Sequence, residues 1–224
     1  MNFQLRHISL VLMIVVFSCG ILSQKQTADE FAEAYFNIVK RGDIEAALSY
    51  RFTIDDEALL VEQKPSLIGE IKYTDSDRFI GDFFEERRSL FRACATRQEV
   101  VQMDSLRNRA DKIIAEKVGE IEKEAQSRGI DIDRVSPDVK NAYFKKVLKI
   151  WRQHSSEVED FMNEKISHAE FQSYERRRPK VLGKNLFFYK NTYIVARINE
   201  NDFHRIEVEK VFDWGGKWRI TEHN

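Results

Sequence analysis

Apolar residues in the first part of the mature chain recur every three or four positions, which is the spacing of amphipathic helices. A capping box, Thr27 to Glu30, opens the first predicted helix, and Gly42 is placed to end it. Asp43 can cap a second, short helix. The first helix has four residues on its apolar face: Phe31, Tyr35, Ile38 and Val39. The domain is therefore predicted to begin with two helices that share a buried face.

Helical spacing dominates again between residues 75 and 178. One helix is predicted over residues 75–94, with Phe and Leu side chains along its stripe. A second capping box, Thr96 to Glu99, opens a longer helix that should stop at Gly129.

A further helix begins at Ser136-Pro137, where a cap residue precedes a proline at the first helical position. Its apolar pattern continues to Ala169, and Pro179 ends the helical section. Two long helices joined by a short loop favour an antiparallel hairpin. We expect the hairpin interface to include three residues of the second helix: Phe144, Trp151 and Val158.

The apolar period changes to two after Pro179, which indicates β-strands. Turns are expected at Lys190-Asn191, at residues 199–202 and at Gly215-Gly216. The predicted strands form an antiparallel meander: Leu186 to Tyr189, Tyr193 to Ile198, Phe203 to Trp214 and Trp218 to Thr221.

The last turn of this meander can be predicted from the strand register. The apolar residues on both flanking strands are even-numbered, so a two-residue loop would place charges on the apolar face. We therefore expect an odd-length loop with Gly216 in the left-handed region, which sets Phe212 opposite Trp218.

The first 23 residues have the layout of an export signal. Arg6 and His7 precede the apolar run Ile8 to Phe17, and small residues follow at positions 18–20. The run is too short for a standard membrane span, which needs about 20 apolar residues. The sequence therefore predicts an exported protein, either periplasmic and cell-envelope or secreted.

Three fates of this signal remain open. Residues 16–19 resemble a bacterial lipobox, which would leave a lipid on Cys19. Cleavage before Gln24 would instead release a soluble protein, and an uncleaved segment would stay as an anchor.

Charge and cysteine content argue against nucleic-acid binding and against a fold stabilised by disulfides. The 224 residues carry 36 Lys and Arg against 37 Asp and Glu, a balance that does not predict nucleic-acid binding. Cys94 is the only cysteine besides Cys19, so no internal disulfide is expected in the mature chain, and burial on a helix face is predicted for Cys94.

Both ends of the mature chain resemble the nuclear transport factor 2-like superfamily. The resemblance lies in three segments: Phe31 to Tyr35, Gly42 to Ala47 and Phe212 to Ile220. It implies an α+β fold in which N-terminal helices and a C-terminal meander, residues 24–74 and 179–224, form a cone-like domain. Residues 75–178 would then be an inserted helical hairpin.

Candidate chemistry is sparse in this sequence. His204 and four aromatic residues, Tyr35, Phe212, Trp214 and Trp218, are candidates for a pocket or for core packing. Asp55 and Asp56 are expected in a solvated acidic loop. No metal-ligand spacing, nucleotide fingerprint or general base stands out, so no cofactor or metal is predicted and the catalytic residues are unknown.

The leading functional hypothesis is an exported, non-enzymatic protein that binds a protein partner or an apolar small molecule. The alternative is an isomerase or dehydratase with its pocket inside the cone. An envelope chaperone that uses its helices as a clamp is a third reading. Contact with a membrane is expected only through the signal or a lipid anchor.

Overall fold

The computed structural model describes residues 26–67, 76–130 and 136–221, and within them the fold is α+β, as predicted. The described helices are α1 (Ala28–Arg41), α2 (Ile44–Leu48), α3 (Ile54–Gln63), α4 (Ser76–Cys94), α5 (Arg97–Ser127) and α6 (Pro137–Ile166). The described strands are β1 (Glu170–Glu175), β2 (Lys180–Gly183), β3 (Leu186–Arg197), β4 (Phe203–Trp214) and β5 (Lys217–Thr221). No described helix is long and apolar enough to cross a membrane.

The five described strands form one antiparallel sheet that does not close into a barrel. The order is β1-β3-β4-β5, and β2 pairs with β3 at the opposite end of that strand from β1. In addition, Arg51 forms a parallel bridge with Ile220 of β5.

The helix boundaries in the first part of the chain agree with the predictions. The Thr27 hydroxyl accepts a hydrogen bond from the Glu30 amide, the Glu30 carboxylate accepts one from the Thr27 amide, and Gly42 ends α1 in the left-handed region with φ of 68°. The predicted capping box at Thr96 is also present. Asp43 caps α2 by accepting a hydrogen bond from the Ala46 amide.

Helices α5 and α6 run antiparallel, as predicted. Near the start of α5, the Glu99 carboxylate lies 2.8 Å from the Lys165 ammonium at the end of α6. Near the end of α5, Glu122 accepts a hydrogen bond of 2.9 Å from the Tyr143 hydroxyl near the start of α6. These two contacts fix the relative direction of the helices.

The prediction that helical structure continues to Ala169 and up to Pro179 is wrong. Helix α6 ends at Ile166, and residues 170–175 form β1. The pairing of β1 with β3 shifts register between Phe171 and Ser173, so an irregularity interrupts the strand alternation there. That irregularity leaves Phe171 and Tyr174 three residues apart, which imitates helical spacing.

The predicted turn at Lys190-Asn191 is also wrong, because β3 runs without a break through these residues. Asn191 has φ of 53°, and the pairing with β4 continues on both sides, from Lys190 with Lys210 to Thr192 with Val208. Asparagine tolerates this left-handed conformation better than most residues.

Strands β3 and β4 both exchange their buried faces at this position. In β3 the main core receives Tyr189 before Asn191 and Ile194 after it, and in β4 it receives Val208 and then Val211. The separation is odd in each strand, although a regular strand returns to the same face only at even separations.

The odd-length turn predicted between β4 and β5 is a further error. Trp214 pairs with Lys217 across a two-residue Gly215-Gly216 turn, and both glycines have positive φ, 59° and 98°. Phe212 therefore lies opposite Arg219 instead of Trp218. Because β4 exchanges its buried face, its even-numbered apolar residues do not all lie on one side of the sheet. A two-residue turn therefore does not place charges on a single apolar face, as the even-numbered pattern predicted.

The exchange of faces produces two apolar clusters. The main core lies between the helices and the sheet, and it takes Val211 from β4. The second cluster takes the next residue, Phe212, and therefore lies on the other face of β4. Its buried members are Phe52, Leu60, Leu182, Leu186, Phe188 and Phe212, with Trp214 packed against them.

Asp56 lies in α3 and is 3% exposed, so the predicted solvated acidic loop is wrong. Its carboxylate caps α3 through Thr53 and lies 3.0 Å from Arg219 Nε and 3.2 Å from Lys217 Nζ. Burial raises the pKa of Asp56, but the hydrogen bonds from Thr53 and the two cations outweigh burial and hold it below its usual value. This cluster joins α3 to β5.

Candidate functional site

The predicted aromatic pocket residues separate into two groups. Tyr35 and Trp218 lie in the main core, where Phe31 packs against both, its ring 4.8 Å from that of Trp218. The Trp218 indole also donates a 2.9 Å hydrogen bond to the carbonyl of Gln26. These side chains are buried against one another, so within the described residues they fill the interior.

Phe212 and Trp214 belong to the second cluster. The Phe212 ring lies 4.9 Å from that of Phe52, and the Trp214 ring stacks on Phe52 at 6.0 Å. The sheet therefore separates these two residues from Tyr35 and Trp218.

A carboxylate that the sequence analysis did not single out lies next to Tyr35. The Tyr35 hydroxyl donates a hydrogen bond of 2.8 Å to Glu86 of α4. Burial raises the pKa of Glu86 to about 8, the hydrogen bond from Tyr35 lowers it, and the charge of Asp82 raises it further. Burial also raises the pKa of Tyr35 well above its ordinary value. This pair can hold a proton near neutral pH.

The residue after Glu86 is a fully buried arginine. One Arg87 nitrogen donates to the carbonyls of Val39 and Lys40, at 2.6 and 2.8 Å, which are carbonyls at the end of α1. The other lies 2.8 Å from the Glu159 carboxylate and donates to Asn163 at 2.7 Å. Arg87 therefore joins α1, α4 and α6 at one point.

The sequence contains a signal for Glu86 and Arg87. Phe79, Phe83 and Leu90 define the apolar stripe of α4, and positions 86 and 87 fall on that stripe between Phe83 and Leu90. A charged residue on an apolar stripe needs a partner in the core. The partners come from α1 and α6, far away in sequence, so the stripe indicates the site but not its composition.

His204 lies at the start of β4, where Ile206 follows it in the main core. Its Nε2 shares a hydrogen bond of 2.8 Å with the Ser89 hydroxyl of α4, and burial lowers its pKa. Among the described residues, no group of three or more His, Cys, Asp or Glu side chains could hold a metal ion.

The predicted hairpin residues occupy different surroundings. The Trp151 ring lies 4.4 Å from Phe84 of α4, so it packs against α4, and Val158 is buried in the main core. The side chain of Phe144 lies outside the described part of the structure, as does Cys19. Cys94 is half-buried, and burial raises its thiol pKa to about 11.

The outer half of the α5–α6 hairpin has a different character from its base. We define the distal arm as residues 115–130 and 136–147; its α5 portion, residues 115–127, is about 20 Å long at 1.5 Å per residue. No described side chain of the distal arm is fully buried. Val118, Ile121 and Val147 are half-buried there and belong to neither apolar cluster.

Exposed apolar side chains also occur on the distal arm and next to it. Ile130 and Val139 on the distal arm are 39% and 44% exposed, and Ile113 at its base is 41% exposed. A separate open groove of about 480 Å³ lies on the opposite side of α5, between Val101, which is 65% exposed, and Lys112.

No protein-family model, curated protein or solved structure matches this chain.

Proposed function

We propose that this chain is an exported, non-enzymatic binding protein of the cell envelope, and that it engages a protein partner through the distal arm. In this proposal residues 24–74 and 170–224, which include β1, form a cone-type domain of the nuclear transport factor 2-like kind. Residues 75–169 are an insertion that carries the binding surface. The signal-like layout of residues 1–23 supports export.

The observation that carries the proposal is the incomplete burial of the distal arm. Val118 and Ile121 follow Ile114 at four and seven residues, the spacing of a coiled-coil seam. Two helices alone leave this seam half-exposed, and an amphipathic helix from a partner would bury it. Ile130 and Val139 add exposed apolar surface to the same arm, and such surface is typical of protein interaction sites.

The packing of the interior argues against an apolar small molecule as the ligand. A carrier needs an open apolar cavity. The residues that would line it, Tyr35 and Trp218, are instead packed against Phe31 and buried. Surface recognition of a protein therefore fits the described residues better than capture of a ligand inside the domain.

Site-specific photo-crosslinking in the native host tests this proposal. A photoreactive residue at Ile130 or Val139 should give one discrete crosslinked product, because the partner covers these positions. The same residue at Ile54 of α3, which is 63% exposed, is the matched control and should give none. Equal crosslinking from all three positions would contradict a specific site on the arm.

The isomerase or dehydratase alternative is supported by one observation, the Tyr35–Glu86 pair with its raised carboxyl pKa. An enzyme would need to admit a small molecule to this carboxyl group. A water-soluble carbodiimide should modify Glu86 of the folded protein several-fold more slowly than the exposed Glu62 if the proposed function is right. Modification of Glu86 at the rate of Glu62 would favour the enzyme.

A further inference from the structure

The second helix of the hairpin, α6, has a long stretch in which every charged residue is positive. Residues 139–156, about five turns of α6, contain five Lys or Arg and no Asp or Glu. Three of these cations are exposed on the distal arm or directly next to it: Lys145, Lys146 and Lys149. We call these three residues the lysine cluster.

Helical spacing places the lysine cluster on one side of α6. Lys149 follows Lys145 by four residues and Lys146 by three, so the three side chains are neighbours. Lys146 follows the exposed Val139 by seven residues, which is two turns, so these two share a side of the helix. Trp151, which packs against α4, follows Lys146 by five residues and lies about 140° around the helix from it. Lys146 therefore lies next to exposed apolar surface and points away from α4.

The lysine cluster has no anionic partner within the described residues. None of the three ammonium groups is in an ion pair with a described carboxylate. Like charges four residues apart on a helix destabilise it, and Lys145 and Lys149 have this spacing. Helix α5 avoids such repulsion, since its Lys117 lies 3.0 Å from Glu120, three residues away. An anionic partner would remove the repulsion on α6.

The next cation along α6, Arg152, shows how such a charge is compensated at the base of the hairpin. Its guanidinium lies 3.0 Å from the carboxylate of Glu45, which belongs to the short helix α2. No described element supplies a carboxylate to the lysine cluster in the same way. A helix from a partner with carboxylates on one side would do for the lysine cluster what α2 does for Arg152.

A second copy of this chain offers few free carboxylates for that purpose. Three of the four glutamates between residues 115 and 127 are engaged by side chains of their own hairpin: Glu120 by Lys117, Glu122 by Tyr143 and Glu124 by Arg128. The chain as a whole has 36 Lys and Arg against 37 Asp and Glu, so net charge does not attract one copy to another. The charge of the lysine cluster is therefore better matched by a different, acidic protein.

We propose that the protein bound by the distal arm presents an acidic amphipathic helix. Its apolar side covers Val139, and its carboxylates, three or four residues apart, lie against Lys146 and Lys149. An amphipathic helix on an apolar surface is a common mode of recognition, and opposite charges beside it speed association and reject basic competitors. This inference rests on the proposed function and adds the chemistry of the partner to it.

Charge reversal combined with photo-crosslinking from Val139 in the native host tests the proposal. Lys146→Glu with Lys149→Glu should lower the amount of crosslinked product several-fold, because carboxylates would then face carboxylates. Lys146→Arg with Lys149→Arg, which keeps both charges, should leave it unchanged. The partner segment in the product, sequenced by mass spectrometry, should carry Asp or Glu at helical spacing.

A second pair of exposed lysines provides the matched control. Lys112 and Lys123 are each two residues from a seam residue, Ile114 and Ile121, so they lie on the opposite side of α5 from the seam. Lys112→Glu with Lys123→Glu makes the same change of charge and should leave the crosslinked product unchanged. Urea denaturation of the purified variants should give the same midpoint for both reversed pairs, which excludes unfolding as the cause of a loss.

The possible failures of the test are distinguishable. An undiminished product from Lys146→Glu with Lys149→Glu would overturn the acidic helix but leave a partner on the distal arm. A product with twice the mass of this chain would assign a second copy instead, and a partner segment without Asp or Glu would also overturn the proposal. No product from the native chain would contradict the proposed function itself, and this inference with it.

Discussion

The protonation of Glu86 is coupled to folding near neutral pH. Its pKa in the folded protein is about 8, against an ordinary value of 4.5. The folded state therefore binds more protons than the unfolded state between these values. Stability is fully present below the lower value and is lost as the pH rises through the higher one.

Replacing Glu86 with Gln should remove this loss of stability. The amide still accepts the hydrogen bond from Tyr35 and carries no charge. We expect Glu86→Gln to be more stable than the native protein above pH 8, by on the order of 3 kcal/mol, and to differ little near pH 5. Urea denaturation across this pH range measures it. A variant that is less stable than the native protein at high pH would show that the ionised carboxylate is stabilising.

Two independent constraints, backbone conformation and lack of space, favour glycine at position 42. Its φ is 68°, and a Cβ there would lie 2.7 Å from a Glu159 carboxylate oxygen and 2.8 Å from the Arg87 guanidinium carbon. We expect Gly42→Ala to cost about 2–4 kcal/mol of unfolding free energy, from backbone strain and overpacking.

Gly119→Ala is the control for this substitution, since a Cβ at Gly119 meets nothing within 4 Å. In the middle of α5 it should stabilise the protein by about 0.5–1 kcal/mol. Thermal or urea denaturation of both variants gives the comparison. Equal costs at the two positions would contradict the close contact between Gly42 and the Arg87–Glu159 pair.

The sequence reveals residues such as Gly42 and Tyr35 because their signals are local. A glycine after a helix and an aromatic residue on an apolar face can each be interpreted within one turn. Glu86 and Arg87 are different, because their burial depends on partners in α1 and α6. The prediction that Asp56 is solvated is wrong for the same reason, because its partners Lys217 and Arg219 lie near the other end of the sequence.

At the scale of elements, the helices were predictable because capping residues and apolar stripes agree with each other. The capping boxes at Thr27 and Thr96 are both present in the structure. The strands were harder, because β1 contains a register shift and β3 contains Asn191 at positive φ. One irregular residue in a strand reverses the face to which every later side chain is assigned. The predicted length of the β4–β5 turn is wrong for this reason.

Asn191 provides a test of this account of the sheet. Asn191→Val should destabilise the protein by about 1–2 kcal/mol, because a β-branched residue is strained in the left-handed region. Asn191→Gly should be close to neutral. Lys190→Val, at the neighbouring position with ordinary φ, is the control and should cost less than Asn191→Val. Equilibrium denaturation distinguishes them, and equal costs for both valines would contradict the strained geometry.

At the scale of the whole molecule, the sequence was sufficient for the α+β class and the antiparallel hairpin. The cone-like shape and the insertion stay predictions. The apolar spacing does not predict how burial differs along the α5–α6 hairpin. The base of the hairpin packs into the main core, and the distal arm does not. Apolar residues at helical spacing look alike in both places, and only the position of the other elements decides which are covered.

Export of the chain predicts a specific mature mass. In the native host we expect loss of the first residues, with the new N-terminus either at Gln24 or at a lipid-modified Cys19. Intact mass spectrometry with peptide mapping distinguishes the two. A full-length, unmodified chain recovered from the cytoplasm would contradict export.

The central claim, that the distal arm is covered by a partner in its natural setting, is tested most directly by cysteine accessibility. Val139→Cys and Ile54→Cys are each labelled with a thiol reagent in the native host and in the purified protein, with labelling measured peptide by peptide. Cys94 is the internal reference for slow labelling, since its pKa is raised to about 11. The account predicts that labelling at position 139 is several-fold slower in the host than in the purified protein, while labelling at position 54 is the same in both. Equal rates at position 139 in the two settings would contradict it.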